Sequence, residues 1–319
     1  ELKGKSIDSV IALFDADHKK IRLLSRFKKA RSVESREDLR AVISGETIRL
    51  SVIYSPIRGT DSKEALGEDG YIVILRDITK QKSLEEERDE FISVVSHELR
   101  TPLTIAEGSL SNLQIMMNRE EIPRSRLAEN VAMSYTQVLY LAKMVNDLST
   151  LSRAERGTAD ATEEIDVAAM IHDLYSEYAP QAEAKGLHLN LDLSPQLGSV
   201  MASRLYLKEL LQNFITNAIK YTKDGEVKII AKHTGGQIDF AVKDTGIGIS
   251  KSDQAHVFEK FWRSEDYRTR ETGGTGLGLY VTRKLAKKLG TTIEMNSRLN
   301  HGSTFRFSLQ LSMKNYNDN

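Results

Sequence analysis

The chain has 319 residues, of which 40% are hydrophobic and 28% are charged, a composition typical of a globular protein with two or three domains. Basic and acidic residues number 45 each, so no net charge favours nucleic acid or anionic lipid as a partner. Cysteine is absent, which excludes disulfides and thiolate metal sites, and no apolar run approaches the roughly 18 residues of a membrane-spanning helix.

Residues 1–79 are predicted to form a small mixed α/β module. VIALFDADHKKIRLL predicts two short strands on either side of a turn that contains Asp15, Asp17 and His18. TIRLSVIYSPI and GYIVILRDI predict two further strands, and the module is expected to end near Thr79.

Residues 80–154 have helical periodicity that is interrupted at 118–123, which predicts two long helices in an antiparallel hairpin. One hairpin offers too little surface to bury its own apolar residues. We therefore expect it to dimerise about a twofold axis into a four-helix bundle. The polar segment ERGTADATEE, residues 155–164, is predicted to be a linker.

Residues 165–312 alternate between strand and helix patterns and predict an α/β sandwich domain. Helices are predicted at Val167–Ala184, Leu205–Tyr221 and Leu277–Leu289, and Ser203 is expected to cap the second of them. Strands are predicted for LHLNLDL, EVKIIAKHT, QIDFAVKD, TTIEMNS and STFRFSLQ, and residues 313–319 are expected to be a disordered tail.

His97 is predicted to face outward from the first long helix. At 100° per residue, an apolar stripe lies between about 120° and 240° from the histidine. Its members are Phe91, Ile92, Val95, Leu99, Leu103, Ala106 and Leu110. A solvated surface histidine is one interpretation. The other is a nucleophile, because Glu98 can accept one imidazole proton and leave the second ring nitrogen available.

Pro102 lies one turn beyond the histidine and cannot donate a hydrogen bond to the carbonyl of Glu98. The helix is therefore expected to bend there, and the bend is either a hinge or simply tolerated.

The helix LKELLQNFITNAIKYT carries Asn213, Asn217 and Lys220 on one face, with Glu209 beside them. Such a face is compatible with plain solvent exposure. It also suits a Mg²⁺–phosphate site, because amide oxygens are hard ligands and Mg²⁺ takes one or two protein groups together with phosphate and water.

The strand QIDFAVKD places Asp244 on the same side as Ile238, Phe240 and Val242, which are expected to be buried. A buried carboxylate needs a hydrogen-bonding partner, and the amino group of a purine is a suitable one. Glycines at 246 and 248 would allow a ligand ring to approach the backbone.

A long irregular stretch follows, in which Phe258, Phe261 and Trp262 are expected to be anchors. Arg263, Arg268 and Arg270 are candidates for contacts with phosphate. Glycines at 273, 274, 276 and 278 then lead into a helix, a pattern that can cradle phosphate but is unspecific. The spacing fits neither a Walker loop nor a dinucleotide fingerprint.

These segments together resemble a bacterial-type sensor histidine kinase of a two-component system. SHELRTPL resembles the phosphoacceptor box, NFITNAIKYT the N box, DTGIGI the first glycine box, FEKFWR the F box and GGTGLGL the second glycine box. The five motifs occur in family order over residues 80–312.

The resemblance implies a dimerisation and histidine-phosphotransfer domain at 80–154. It also implies an ATP-binding domain of the gyrase, chaperone and histidine kinase type at 165–312. His97 would accept the γ-phosphoryl group, Glu98 would be the general base, and Thr101 would position a water in an E-x-x-T phosphatase motif. Asn213 and Asn217 would hold Mg²⁺. The implied nucleotide-binding residues are Asn213, Asn217, Lys220, Tyr221, Asp244, Gly246, Gly248, Phe258, Arg263, Gly274, Thr275, Gly276, Leu277 and Gly278.

Residues 1–79 resemble the later part of a PAS sensor domain, from the closing GYIVILRDIT and the helix that follows. The implied substrate is ATP, and the implied partners are a second copy of the chain and the receiver domain of a response regulator. We expect a cytoplasmic fragment with room for a membrane anchor upstream, because the chain begins at Glu1. The alternatives are a gyrase-like or mismatch-repair-like ATPase and a dimeric scaffold without activity.

Overall fold

The computed structural model describes residues 3–27, 32–43, 45–57, 70–117, 123–156, 161–264, 266 and 273–312. The chain divides into two compact units, Glu1–His97 and Glu98–Asn319. Among the described residues, no helix combines the length and the apolarity that crossing a bilayer would require.

The first unit is built on an antiparallel sheet with strand order β2-β1-β3-β4-β5. Its elements are α1 (Ile7–Val10), β1 (Leu13–Phe14), β2 (Lys20–Ile21), α2 (Leu23–Phe27), β3 (Glu34–Ile43), β4 (Glu46–Ile57) and β5 (Gly70–Asp77). Leu13, Leu39, Val52 and Tyr54 form the centre of a small core. The four predicted strands are confirmed, whereas the long strand β3 was not predicted.

The predicted turn between β1 and β2 is confirmed. The carboxylate of Asp15 accepts hydrogen bonds from the backbone N–H groups of Asp17 (3.1 Å) and Lys19 (2.9 Å). His18 has a φ of 61°, in the left-handed region that such turns require.

Two long helices follow, α3 (Thr79–Met117) and α4 (Arg124–Arg156), and both were predicted. The boundary between the two units falls inside α3, and the helix continues through Pro102 without interruption. In the second unit, the hydroxyl of Ser134 on α4 donates a long hydrogen bond of 3.4 Å to the carbonyl of Ala106 on α3. Small buried side chains at this point, including Ser109, allow the two helices to approach closely.

The predicted apolar stripe of α3 is only partly buried in the single chain. Ala106 is buried, but Leu103 and Leu110 are 57% and 52% exposed. On α4, Val131 and Val138 are 52% and 53% exposed. One hairpin covers only part of its apolar surface, as the sequence indicates.

The remaining residues form an α/β domain. Its elements are β6 (Glu163–Asp166), α5 (Val167–Ala184), β7 (His188–Leu193), β8 (Ser199–Ala202), α6 (Arg204–Tyr221), β9 (Glu226–Thr234), β10 (Gln237–Asp244), α7 (Lys251–Gln254), α8 (Gly278–Lys288), β11 (Glu294–Ser297) and β12 (Ser303–Gln310). One sheet has the order β11-β12-β10-β9-β7, in which only β7 and β9 are parallel, and a second sheet pairs β6 with β8.

The pair β6–β8 differs from the prediction. The linker was predicted to extend to residue 164, but Glu163 and Glu164 already belong to β6, and Arg156 still belongs to α4. The sequence signal was weak because Ile165 is the only fully buried residue of this short strand, with acidic residues around it.

Helices α5 and α6 pack on one face of the five-stranded sheet and enclose the main hydrophobic core. Phe214 of α6 stacks on Phe305 with ring centroids 5.1 Å apart, and Phe240 stacks on Phe307 at 4.9 Å. The first contact holds α6 on β12, and the second joins β12 to β10. The polar face of α6 lies beside the end of β10.

Both ends of α6 are capped. The hydroxyl of Ser203 accepts a hydrogen bond from the N–H of Tyr206 (3.3 Å), as predicted. At the other end, the ammonium group of Lys185 donates to the carbonyls of Ile219, Lys220 and Thr222 at 2.7–2.9 Å. The cap holds the last turn of the helix, where Lys220 and Tyr221 lie.

Candidate functional site

A cavity of about 670 Å³ lies in the α/β domain where α6, the end of β10, α7 and the start of α8 meet. Eleven of the fourteen predicted nucleotide-binding residues line it. They are Asn213, Asn217, Lys220, Tyr221, Asp244, Gly248, Arg263, Gly274, Thr275, Gly276 and Gly278. Four separate segments of the sequence therefore meet at one concave site.

Asp244 lies at the end of β10, with 7% of its surface exposed. Its Oδ1 accepts hydrogen bonds from the N–H groups of Gly246 (2.8 Å) and Ser303 (3.1 Å). Burial raises the pKa of this carboxyl, and the two N–H groups oppose that rise. Within the described residues Oδ2 has no hydrogen bond, so it is the oxygen that remains for a ligand.

Gly246 supports this carboxylate rather than lining the cavity. A side chain at 246 would collide with the carbonyl of Tyr221 and with Oδ1 of Asp244. Glycine is therefore needed for the backbone N–H to reach the carboxylate.

Asn213 and Asn217 lie one turn apart on α6 and both line the cavity. The amide nitrogen of Asn213 donates to the carbonyl of Glu209 at 3.4 Å, which leaves its oxygen as the acceptor. A Cβ at Gly278 would lie 2.7 Å from that oxygen, so a side chain at residue 278 would displace the amide of Asn213.

These two amides fit the donor set that Mg²⁺ prefers when phosphate completes its coordination. Within the described part of the chain, no group of three or more His, Cys, Asp or Glu side chains could hold a metal by itself. Phosphate and water would complete the coordination of a metal ion held by the two amides.

Lys220 lies partly buried at the end of α6. Its ammonium group donates to the hydroxyl of Tyr221 (3.0 Å) and to the carbonyl of Gly273. Burial, with smaller contributions from Lys143 and Arg263, lowers the pKa of Lys220 to about 8. Three cationic side chains thus line one cavity, which favours a polyanionic ligand.

The glycine-rich segment before α8 is tied to its surroundings through Thr275. The threonine hydroxyl donates to Oδ2 of Asp147 on α4 (2.8 Å) and accepts a long hydrogen bond from the N–H of Leu277 (3.3 Å). Gly276 has a φ of 67°, and a Cβ there would lie 2.6 Å from the backbone of Phe261.

Two further predicted residues lie outside the cavity lining. Leu277 is fully buried beside the start of α8, and the ring of Phe258 packs edge-on against Phe305 at 6.4 Å. Both support the site from the protein core. Arg268 and Arg270 lie outside the described residues.

Several lining residues were not predicted. Ser250, Asp253, His256 and Ser264 come from the stretch that the sequence left irregular, and Lys143 comes from the helical hairpin. The short helix α7 organises the first group, because the hydroxyl of Ser250 accepts a hydrogen bond from the N–H of Asp253 (3.1 Å). The S-x-x-D spacing of these two residues is a helix-start signal that could have been recognised.

His97 lies on α3 with an exposed side chain, as its helical phase predicts. Glu98 and Leu99 are partly buried, and Thr101 is exposed on the same helix.

Two protein families match the chain in the order of these elements. Residues 87–157 match the family described as "His Kinase A (phospho-acceptor) domain", and residues 202–313 match "Histidine kinase-, DNA gyrase B-, and HSP90-like ATPase". The chain belongs to the sensor histidine kinase family. The resemblance read from the five sequence motifs is thereby confirmed.

Individual sensor kinases are similar over a large part of the chain. Sensor protein SrrB of Staphylococcus aureus is 30% identical over 254 residues, which are 78% of this chain and 42% of SrrB. The chain therefore spans less than half the length of this relative.

Two solved histidine kinase structures share the fold. Acinetobacter baumannii histidine kinase AdeS superimposes with a TM-score of 0.53 and 26% identity, covering 68% of this chain and 98% of that one. Full-length ShkA in complex with AMPPNP has a TM-score of 0.51 and 26% identity, covering 70% of this chain and 46% of ShkA.

Most site residues of this histidine kinase lie in one or the other of the two family matches, according to their predicted role. His97 lies in the phosphoacceptor match, and the lining residues from Asn213 to Phe305 lie in the ATPase match. Lys143 is the exception, since it belongs to the phosphoacceptor match and yet lines the cavity.

Proposed function

We propose that the chain is an ATP-dependent protein-histidine kinase that phosphorylates His97 and passes the phosphoryl group to an aspartate of a response regulator. The observation that carries the proposal is the convergence of Asp244, Asn217 and Lys220 with the glycine-rich segment 273–278 at one cavity. These groups offer an acceptor for a purine amino group, hard ligands for a metal, and a cation and backbone for phosphates.

In this proposal adenine binds at Asp244, where the remaining carboxylate oxygen would accept a hydrogen bond from its amino group and Tyr221 would offer a ring face. The phosphates would bind at Lys220, Arg263 and the segment before α8. Magnesium held by Asn213 and Asn217 would neutralise charge on the phosphates.

In the first transfer, an imidazole nitrogen of His97 attacks the γ-phosphorus of ATP. The bond from that phosphorus to the bridging oxygen breaks, and ADP leaves. Glu98 takes the proton from the other side of the ring, which keeps the attacking nitrogen's lone pair available. In the second transfer, an aspartate carboxylate of the regulator attacks the phosphohistidine, and the histidine leaves.

We further propose a phosphatase activity towards the same regulator, in which Thr101 positions the attacking water. Pro102 would let α3 bend between a kinase and a phosphatase arrangement. A Pro102→Ala variant is expected to change the ratio of kinase activity, measured by labelling from γ-labelled ATP, to phosphatase activity, measured by phosphate release from the regulator. An unchanged ratio would contradict the proposed role of the proline.

A gyrase-like or mismatch-repair-like ATPase would explain the cavity but not the exposed histidine on a long helical hairpin. A scaffold without activity would not explain the asparagine and carboxylate groups that line the cavity. Both alternatives are therefore weaker accounts of the same residues.

The test is incubation of the purified chain with γ-labelled ATP and Mg²⁺. We expect acid-labile label on the wild type and none on His97→Ala. The control is His172→Ala, which should be labelled as the wild type is, because His172 is an exposed residue of α5 that neither lies in the phosphoacceptor box nor lines the cavity. Hydrolysis of ATP without retained label would indicate the ATPase class, and neither reaction would indicate a scaffold.

A further inference from the structure

Helix α4 of the hairpin packs against the α/β domain along α8. The buried residues of α4 in this region are Met144, Asp147, Thr150, Leu151 and Ala154. Asp147 is 9% exposed, and its Oδ2 accepts the hydrogen bond of 2.8 Å from Thr275. Burial raises the pKa of its carboxyl, while the bond from Thr275 and the charge of Lys143 oppose the rise. The hydrogen bond fixes one turn of α4 beside the glycine-rich segment.

Lys143 lies four residues before Asp147, so the two side chains occupy the same face of α4 one turn apart. Its side chain lines the cavity together with Lys220, Arg263 and Gly274. These residues lie with the glycine-rich segment, to which the proposed function assigns the phosphates, whereas it assigns adenine to Asp244. Within the residues that the structure describes, the Lys143 ammonium group has no ion pair or hydrogen bond.

Lys143 is exposed and its charge acts on the Asp147 carboxyl, but its side chain also faces a cavity lined by two other cations. Like charges near one another are unfavourable unless an anion lies between them. The phosphates of a nucleotide would supply that anion, and their oxygens accept charge-assisted hydrogen bonds from lysine and arginine.

We propose that Lys143 is a nucleotide-binding residue supplied by the helical hairpin, which contacts the polyphosphate of a nucleotide bound in the cavity and is positioned by the Asp147–Thr275 hydrogen bond. The inference rests on the proposed function, because it takes the ligand to be ATP. It goes beyond that function by making the hairpin part of the nucleotide site.

A thermodynamic consequence follows for the two domains. If Lys143 contacts the nucleotide only when α4 is docked on α8, a bound nucleotide must strengthen docking by the factor by which docking strengthens nucleotide binding. Release of ADP would then weaken the contact between α4 and α8.

The test is calorimetric titration of the intact chain with AMPPNP and Mg²⁺, with adenosine measured by competition. Lys143→Ala is expected to bind AMPPNP roughly tenfold more weakly, the loss of about one charge-assisted hydrogen bond, and to bind adenosine as the wild type does. Lys143→Arg should restore most of the affinity, because it returns the charge.

The matched control is Arg153→Ala, which removes an equal charge from α4 ten residues further on, about 15 Å along the helix. Its affinity for AMPPNP should equal that of the wild type. Two outcomes would overturn this inference alone, provided that the wild type binds AMPPNP. One is full affinity in Lys143→Ala, and the other is an equal loss of affinity in Lys143→Ala and Arg153→Ala. A wild type that binds no AMPPNP would overturn the proposed function as well.

Discussion

Asp244 divides its two oxygens between the fold and the ligand. Oδ1 satisfies the buried N–H groups of Gly246 and Ser303, and Oδ2 remains for adenine. We expect Asp244→Asn to melt as the wild type does, because the amide oxygen can replace Oδ1. Its affinity for ATP should fall at least about tenfold, because the amide nitrogen then meets the adenine amino group as a second donor.

Asp244→Ala provides the contrast. It leaves two buried N–H groups without acceptors and should lower the free energy of unfolding by about 1–3 kcal/mol for each. Urea unfolding of the two variants, with titration of ATP into each, separates the two roles. Equal stability of both variants would show that Oδ1 does not support the fold.

Lys220 predicts how nucleotide affinity depends on pH. Its pKa is lowered from 10.5 to about 8, so the free site carries the charge below pH 8 and loses it above. A phosphate favours the charged form, and binding above pH 8 must therefore take up a proton. We expect the dissociation constant of ATP to be nearly constant from pH 7 to 8 and to rise by up to about tenfold per pH unit above that.

Lys220→Arg is the control, because arginine stays charged throughout this range. Its dissociation constant, measured by calorimetry over the same pH range, should lose the upward slope even if its absolute affinity is lower. A slope that persists in this variant would assign the titration to another group.

At the scale of elements, the sequence predicts best where one segment decides its own structure. The amphipathic pattern of α5 and α6 predicted their bounds to within a residue, and alternation predicted β9 and β10. Strands β6 and β8 were both missed because each has only a few residues and gains its stability from the other.

The residues of the site also differ in whether a local sequence pattern could predict them. The residues of α6 and β10 were predicted because their polar groups interrupt a regular apolar pattern. Lys143 was not predicted, since nothing in its own helix distinguishes it from a solvated lysine. Its place at the cavity depends on how α4 packs on α8, a tertiary contact that no local pattern encodes.

The hairpin formed by α3 and α4 carries its own prediction. Leu103, Leu110, Val131 and Val138 are each more than half exposed in the single chain, far more than leucine and valine on paired helices usually are. We expect a second copy to cover them in a four-helix bundle. Leu110→Glu with Val131→Glu should convert a dimer into a monomer, because both charges would be buried in the bundle.

Light scattering coupled to gel filtration measures the mass directly. The control is Met201→Glu, which replaces a side chain of β8 that is 54% exposed and lies outside the hairpin. A wild type that is already monomeric at micromolar concentration would contradict the bundle.

At the scale of the whole molecule, the residues that the structure describes form two separate hydrophobic cores. One is centred on residues such as Leu39 and Val52, and the other on residues such as Phe214 and Phe240, with no residue in common. Cores that share no side chains can unfold independently, so differential scanning calorimetry should show more than one transition.

ATP should identify which transition belongs to the α/β domain. A ligand stabilises only the folded form that binds it, by about 2.7 kcal/mol at a concentration of one hundred times the dissociation constant. Mg²⁺ and ATP should therefore raise the melting temperature of one transition and leave that of the residues 3–57 core unchanged. At the same ATP concentration the stabilisation should fall to about 1.4 kcal/mol or less in Asp244→Asn, which binds ATP at least about tenfold more weakly and is expected to keep the fold. A single transition, raised as a whole by the nucleotide, would contradict this prediction and show that the two cores unfold together.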